Sequence, residues 1–232
     1  MNGEKIQNSF KISSKYLLFL SMLYMSIAAA SATIAYKFVN FGFFTVSGAA
    51  VIFQINFFIS NIISDTYGYS VMRQIIWRAL ICEIIFALLI KVIIGFENLS
   101  QFPFQSEYDD VLGQTLKFAI SGVLADLVGL FSNIFVFSKL KLYTKGRFFI
   151  VRALGSTFVG EFLMLSVFML FGFNDVSDSE KIKIFLSMYS FHLISDVFLV
   201  WPAWLAVTII KKAENLDVYD KKIDFNPFKI TN

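Results

Sequence analysis

The chain of 232 residues has one cysteine and one histidine. That count excludes a disulfide scaffold and argues against a zinc or other soft-metal centre built from this chain alone. Proline occurs only three times, so collagen-like and proline-rich disordered classes are excluded as well. Charge is sparse: Asp, Glu, Lys and Arg make up 16% of the residues, against about 25% in ordinary soluble domains. There is no GxxxxGK[ST] loop, so the chain cannot hydrolyse ATP by that route. Hydrophobic residues, by contrast, reach 57%, and phenylalanine alone supplies 29. Such a chain needs an apolar solvent.

A helix crosses about 30 Å of hydrocarbon with about 20 apolar residues. Six runs qualify, at 17–36, 44–64, 75–94, 116–137, 148–173 and 184–210. They are continuous rather than alternating, which favours helices over barrel strands. The expectation is an all-α polytopic membrane protein with six transmembrane helices, forming a single membrane domain over residues 1–232. The first run follows lysines and contains Ala28-Ala29-Ala30-Ser31-Ala32, but it is longer than the apolar part of a cleaved leader.

The charges set an orientation. One side collects Lys5, Lys11, Lys15, Arg73, Arg78, Lys139, Lys141, Lys145, Arg147, Arg152, Lys211, Lys212, Lys221, Lys222 and Lys229, which is 15 of the 20 basic residues. The opposite loops hold Glu97, Glu107, Asp109 and Asp110, then Asp175, Asp178 and Glu180. Excess positive charge marks the cytoplasmic side, so both termini are expected there. The net charge of +3 then reflects topology and lipid contact, and no nucleic-acid partner is implied.

Ionisable groups inside a membrane are costly and mark function. Glu83, Asp126, Glu161 and Asp196 fall near the middle of the third to sixth runs, and Gln54 and Asn56 lie at similar depth in the second. They are expected to turn inward onto a shared polar cavity. Gly122, Asp126, Gly129 and Asn133 recur at helical spacing, a small polar stripe that also suits plain packing. Arg152 and Ser156 share a helix face, Thr157 and Glu161 another. His192 and Asp196 are four apart, as a functional pair or a structural one. Asn61 and Asp65 have the same spacing. Arg152 could simply reach the interface, and Tyr67 and Trp77 could belong to an interfacial aromatic belt. An acidic, aromatic-rich site suits a cation, a proton relay or a heterocycle rich in N–H donors.

Several of these stretches resemble one family. Asn61-Ile-Ile-Ser-Asp65-Thr-Tyr67-Gly68, followed by Arg73-Gln-Ile-Ile-Trp77, is similar to the signature of the queuosine precursor transporter family, also called the vitamin uptake transporter-like family. Ser121-Gly-Val-Leu-Ala125 with Asn133 and Phe137 resembles that family's fourth helix. Arg152 with Ser156-Thr157, and the tail Lys211-Lys-Ala-Glu214-Asn-Leu-Asp217-Val-Tyr219-Asp220, resemble its later motifs. The resemblance covers roughly residues 25–220. Where the family has acid, glutamine, aspartate and lysine, this chain has Asn61, Glu161, Met164 and His192, so polarity is kept while charge is redistributed.

The resemblance implies uptake of deazaguanine bases, precursors of the tRNA nucleoside queuosine, across a bacterial inner membrane. A carboxylate can accept the paired N–H donors of a guanine-like edge, and rings can stack on its face. In that reading Glu161 or Asp65 takes the donor edge and Trp77 or Tyr67 stacks. Arg152 or Asn133 meets the acceptors, and Gln54, Asn56 and Asn61 read the remaining edge. The alternative is a membrane subunit that binds a vitamin-like molecule and needs a separate ATPase. An enzyme is not expected, because His192 is the lone imidazole base. No metal and no cofactor are expected; the partners are a small heterocycle and the bilayer, with a homodimer left open.

Overall fold

The computed structural model describes residues 15–99, 101, 103–174, 176–221 and 223–229. Lys5, Lys11, Asp175 and Lys222 of the charge pattern lie outside the described residues. Helix α1 spans Lys15–Ile34. A hairpin of β1 (Phe38–Phe41) and β2 (Phe44–Ser47) follows. Then come α2 (Gly48–Tyr67), α3 (Tyr69–Ile94), a short α4 (Gln105–Leu112), α5 (Thr115–Tyr143), α6 (Phe149–Gly172) and α7 (Asp178–Glu214).

Among the described residues, five stretches are long and apolar enough to cross a membrane: Lys15–Ile34, Gly48–Tyr67, Gln105–Tyr143, Phe149–Gly172 and Asp178–Glu214. Helix α3 has the length, with 26 residues, or about 39 Å at about 1.5 Å per residue. It differs in charge: every 18-residue window of it holds three of Arg73, Arg78, Glu83 and Lys91. The fold is thus mostly helical and built for lipid. Its large exposed side chains are apolar, such as Leu89, Leu170, Phe198 and Leu205, while polar ones such as Asn61, Glu161 and His192 are fully buried.

The hairpin corrects one expectation. Residues 44–47 of the second apolar run are β2, and the helix starts only at Gly48. Phe41 pairs with Phe44 across a two-residue turn in which Gly42 takes φ +69°, a conformation that suits glycine. Ser47 then starts α2 by two contacts: its Oγ accepts from the Ala49 N–H (3.2 Å) and donates to the Ala35 carbonyl (2.6 Å). Other boundaries also move. Helix α3 begins at Tyr69, directly after Gly68, whose φ is +93°. A Cβ at Gly68 would stand 2.9 Å from Val218 Cγ1, so the break needs glycine for space as well as for conformation. The acidic connection that holds Glu97, Glu107, Asp109 and Asp110 carries α4. Helix α7 runs for 37 residues straight through Pro202.

Helix α2 is the axis of the bundle. Every residue from Asn56 to Tyr67 is buried, and α1, α3, α5, α6 and α7 all pack on it. Helices α5 and α6 meet most closely where Gly129 faces Gly160. A Cβ at Gly160 would lie 2.8 Å from both the Gly129 carbonyl and Asn133 Cβ. The small-residue stripe of α5 therefore does pack, and that packing draws Asn133 and Asp126 into the interior.

Candidate functional site

Polar side chains form a column through the bundle, beginning at the end where α2 stops. Asp65 is enclosed by three cations. Its carboxylate accepts from Arg152 Nη1 (2.8 Å) and pairs with Lys211 Nζ (2.6 Å) and, more distantly, Lys141 Nζ (3.6 Å). Lys141 Nζ also donates to the carbonyls of Asp65 (2.6 Å) and Val218 (2.7 Å) and to the Asp217 carboxylate (2.7 Å). Asp65, Lys141 and Arg152 are each 1% exposed. Burial acts against the charged form of Asp217, yet hydrogen bonds from Lys141 and Lys211 outweigh it and hold that carboxyl below its ordinary range. Asp65 was expected at a ligand's donor edge; its acceptor capacity is instead taken up within the chain.

The Tyr-Gly, Arg and Trp positions hold the C-terminal tail. The Tyr69 N–H donates to both Asp220 carboxylate oxygens (3.1 and 3.2 Å), and the Tyr69 hydroxyl to the Phe225 carbonyl (2.9 Å). Arg73 Nη1 donates to the carbonyls of Asp224 (2.9 Å) and Asn226 (3.0 Å). Trp77 Nε1 donates to the Pro227 carbonyl (2.7 Å), and its ring packs on Phe131 and Phe228. Tyr67 is buried near Glu214 at the same end. Trp77 and Tyr67, expected to stack on a ligand, lie at this end and are not part of the cavity lining described below.

One turn further along, amides take over. Asn61 Nδ2 donates to Thr157 Oγ1 (3.1 Å), and Asn133 Nδ2 donates to Asn61 Oδ1 (3.1 Å) and Ser60 Oγ (3.0 Å). Asn56 Nδ2 donates to the Tyr24 carbonyl (3.2 Å), which ties α2 to α1. Ser156 Oγ turns back to the Ala153 carbonyl of its own helix (3.1 Å). Arg152 and Asn133, expected to meet a ligand's acceptors, and Asn61, expected to read its edge, are all engaged inside the protein.

Beyond the amides lie the acids. Glu161 on α6 and Asp196 on α7 adjoin each other, and His192 Nδ1 is 3.4 Å from Glu161 Oε2. All three residues are fully buried. Beyond their contacts with one another and with the backbone at Ala50, these carboxyl oxygens and imidazole nitrogens have no hydrogen-bond partner among the described residues, and Gln54 Nε2 also lacks one. His192 also lines a cavity whose lining includes Glu83 of α3 and Asp126 of α5. These two carboxyls interact with each other and with the buried Tyr24 of α1. Phe53, Phe118 and Phe168 supply rings to the lining. The volume is about 50 Å³, room for a few waters at roughly 10–15 Å³ each.

The hairpin lies against α7 beside this cavity. Phe41 stacks on Phe191 (centroids 5.3 Å apart, planes at 19°), next to His192. Ser187 Oγ exchanges hydrogen bonds with the backbone of Thr45, accepting from N–H (2.9 Å) and donating to C=O (3.0 Å). Phe38, Phe118, Phe168 and Phe173 form one aromatic group at that end.

The structure thus brings Glu83, Asp126, Glu161, His192 and Asp196 into one neighbourhood, with His192 between the two acid pairs. It draws Asp65, Arg152, Tyr67 and Trp77 away to the end that carries the tail. Sequence reasoning missed Lys141 and Lys211 as partners of Asp65, because both read as surface charges of the inner side. It also missed the Phe53, Phe118 and Phe168 walls, because 29 phenylalanines offer no contrast.

A helical bundle with an apolar exterior, a polar column and an acidic internal cavity is the build of a membrane transport protein. Residues 47–206 match the family described as "Putative vitamin uptake transporter", and the chain belongs to that family. No curated protein and no solved structure matches it.

Proposed function

We propose that the chain is a six-span importer of a deazaguanine base in a bacterial inner membrane. In this reading the 232 residues form one membrane domain with both termini in the cytoplasm, and alternating access exposes the acidic cavity to each side in turn. Helix α3 is the sixth span, with Glu83 facing inward and Arg73 and Arg78 at the cytoplasmic end.

What supports the reading most is a lining that joins Glu83 and Asp126 with the rings of Phe53, Phe118 and Phe168 and contains no lysine or arginine. A guanine-like edge presents adjacent N–H donors, which a carboxylate accepts as a two-pronged pair. Phe118 or Phe168 gives the flat face of the base a stacking surface. His192, able to donate or accept, faces the base's remaining polar edge. Phosphorylated or carboxylated ligands would meet only repulsion. Glu161 and Asp196 stand behind His192 and are assigned no contact with the base.

Equilibrium binding to the purified chain tests this. 7-Deazaguanine should bind at least about tenfold more tightly than 7-deazaadenine, which lacks the paired donor edge, a difference of about 1.4 kcal/mol. Glu83→Gln combined with Asp126→Asn should erase that preference. Equal affinity for the two bases, or a preference that survives the double substitution, contradicts the reading.

A further inference from the structure

Glu161 and Asp196 are the buried acids that the proposed base contacts leave unused. They come from different helices and adjoin each other, with His192 Nδ1 3.4 Å from Glu161 Oε2 and no lysine or arginine paired with either. The groups around them can be named element by element. Helix α6 offers Arg152, but that guanidinium is bound to Asp65 two turns away. Helix α7 offers His192, and Tyr189, whose hydroxyl donates to the Phe158 carbonyl (3.2 Å). Helix α2 offers the neutral Gln54, with its Nε2 unpaired, and backbone near Ala50. Across the cavity, α3 and α5 add only the acids Glu83 and Asp126.

Two adjoining carboxylates with no lysine or arginine beside them, wrapped in a lipid-embedded bundle, cannot both keep their charge; such a pair shares a proton. Among the described residues no group of three or more His, Cys, Asp or Glu is arranged to hold a metal ion, so a divalent cation is a poor substitute. His192 points to the same occupant. Its two nitrogens are buried, one of them is 3.4 Å from Glu161, and its ring borders the cavity. That is the geometry of a relay between an enclosed acid and a wet compartment.

We infer that Glu161 and Asp196 together hold one exchangeable proton, passed to and from the cavity through His192, and that this proton travels with the substrate. The transfer balances simply: the acid O–H gives its proton to the imidazole and becomes a carboxylate, and the imidazolium releases it to water in the cavity. The chain then works as a proton-coupled symporter, a deepening that rests on the transport reading above.

The decisive experiment has two arms on the full chain in liposomes. In the first, with no base present, infrared difference spectra at neutral pH follow the carboxylic-acid C=O stretch. Wild type should show such a band, and Glu161→Gln and Asp196→Asn should each remove or shift it. Absence of the band in wild type, or a band indifferent to both substitutions, overturns the inference whatever the substrate is.

In the second arm, labelled 7-deazaguanine is the probe, with the membrane potential clamped at zero. Wild type should exchange the base in counterflow and, under an acid-outside gradient of about one pH unit, concentrate it about tenfold at one proton per base. Both variants should retain counterflow but stop at equal concentrations inside and out. A wild type that counterflows without concentrating the base, or variants that still concentrate it, overturns the coupling. If wild type shows no counterflow at all, the base assignment fails, and the infrared arm still decides whether the proton site exists.

Discussion

A carboxylate inside a lipid-wrapped bundle is tolerated according to what faces it. Asp65 faces three cations, and each contact is part of how the helices are held together. Glu83 and Asp126 face each other, Tyr24 and a cavity. Substitutions should separate these situations. Arg152→Ala leaves a buried charge short of its nearest guanidinium and should cost about 3 kcal/mol or more, read as a lowered Tm in detergent. Glu83→Gln should leave Tm unchanged or raised while weakening base binding at least about tenfold. The reverse pattern, with Arg152→Ala stable and Glu83→Gln unfolding, would contradict the division of roles. The acids themselves were legible in the sequence, because a carboxyl within an apolar run has no bland explanation. Their partners were not. Which face of a helix meets which neighbour depends on packing, and Lys141, whose long stem bends inward to Asp65, carries the same signature as a lysine reaching lipid headgroups.

At the scale of elements, glycines and short structures decide the geometry. Gly160 lies at the α5–α6 crossing, where a Cβ would meet the Gly129 carbonyl and Asn133, whereas Gly155 on the same helix has nothing within 4 Å of its would-be Cβ. Gly160→Ala should therefore destabilise by about 1–3 kcal/mol, and Gly155→Ala should be neutral or stabilising by up to about 1 kcal/mol. Thermal unfolding of the two variants side by side checks the crossing. The tail is the second such element. Trp77→Phe removes the donor to the Pro227 carbonyl and should raise protease cleavage near residue 227 without altering the helices.

Asp217 gives the tail a pH sign. Its folded value is depressed, so its contribution is fully present above the ordinary aspartate value of about 4 and is lost as pH falls through the folded value. Asp220 is shifted the other way by burial, against the Tyr69 N–H and Lys141, so its cost is relieved in acid. Loss of the Asp217 contribution should accordingly show as tail release, followed by cleavage, that rises only once pH falls below the ordinary aspartate range. The helices were legible from runs of apolar residues. The hairpin was not, because its phenylalanines merge with the neighbouring run, and four-residue strands are too short to show alternation. The tail's docking was invisible for a different reason: the side chains of Tyr69, Arg73 and Trp77 hold it mainly through backbone carbonyls, which carry no sequence signal.

At the scale of the whole molecule, two contact sets flank the polar column: the Asp65 network with the docked tail, and the hairpin resting on Phe191 and Ser187. With about 50 Å³ of space, the cavity has to open before a flat ring can enter, as alternating access requires. The account stands on that cavity being the place where the base binds. In a chain whose exposed Cys82 is replaced by serine, Ala49→Cys puts a thiol on the half-buried cavity lining, and Val128→Cys puts one on the outer surface of α5. The direct measurement is labelling of each thiol by a charged, membrane-impermeant reagent, with and without 7-deazaguanine. Ala49→Cys should label and be protected by the base, while Val128→Cys, facing lipid, should be insensitive to it. A base that binds without shielding the thiol at position 49 would contradict the account.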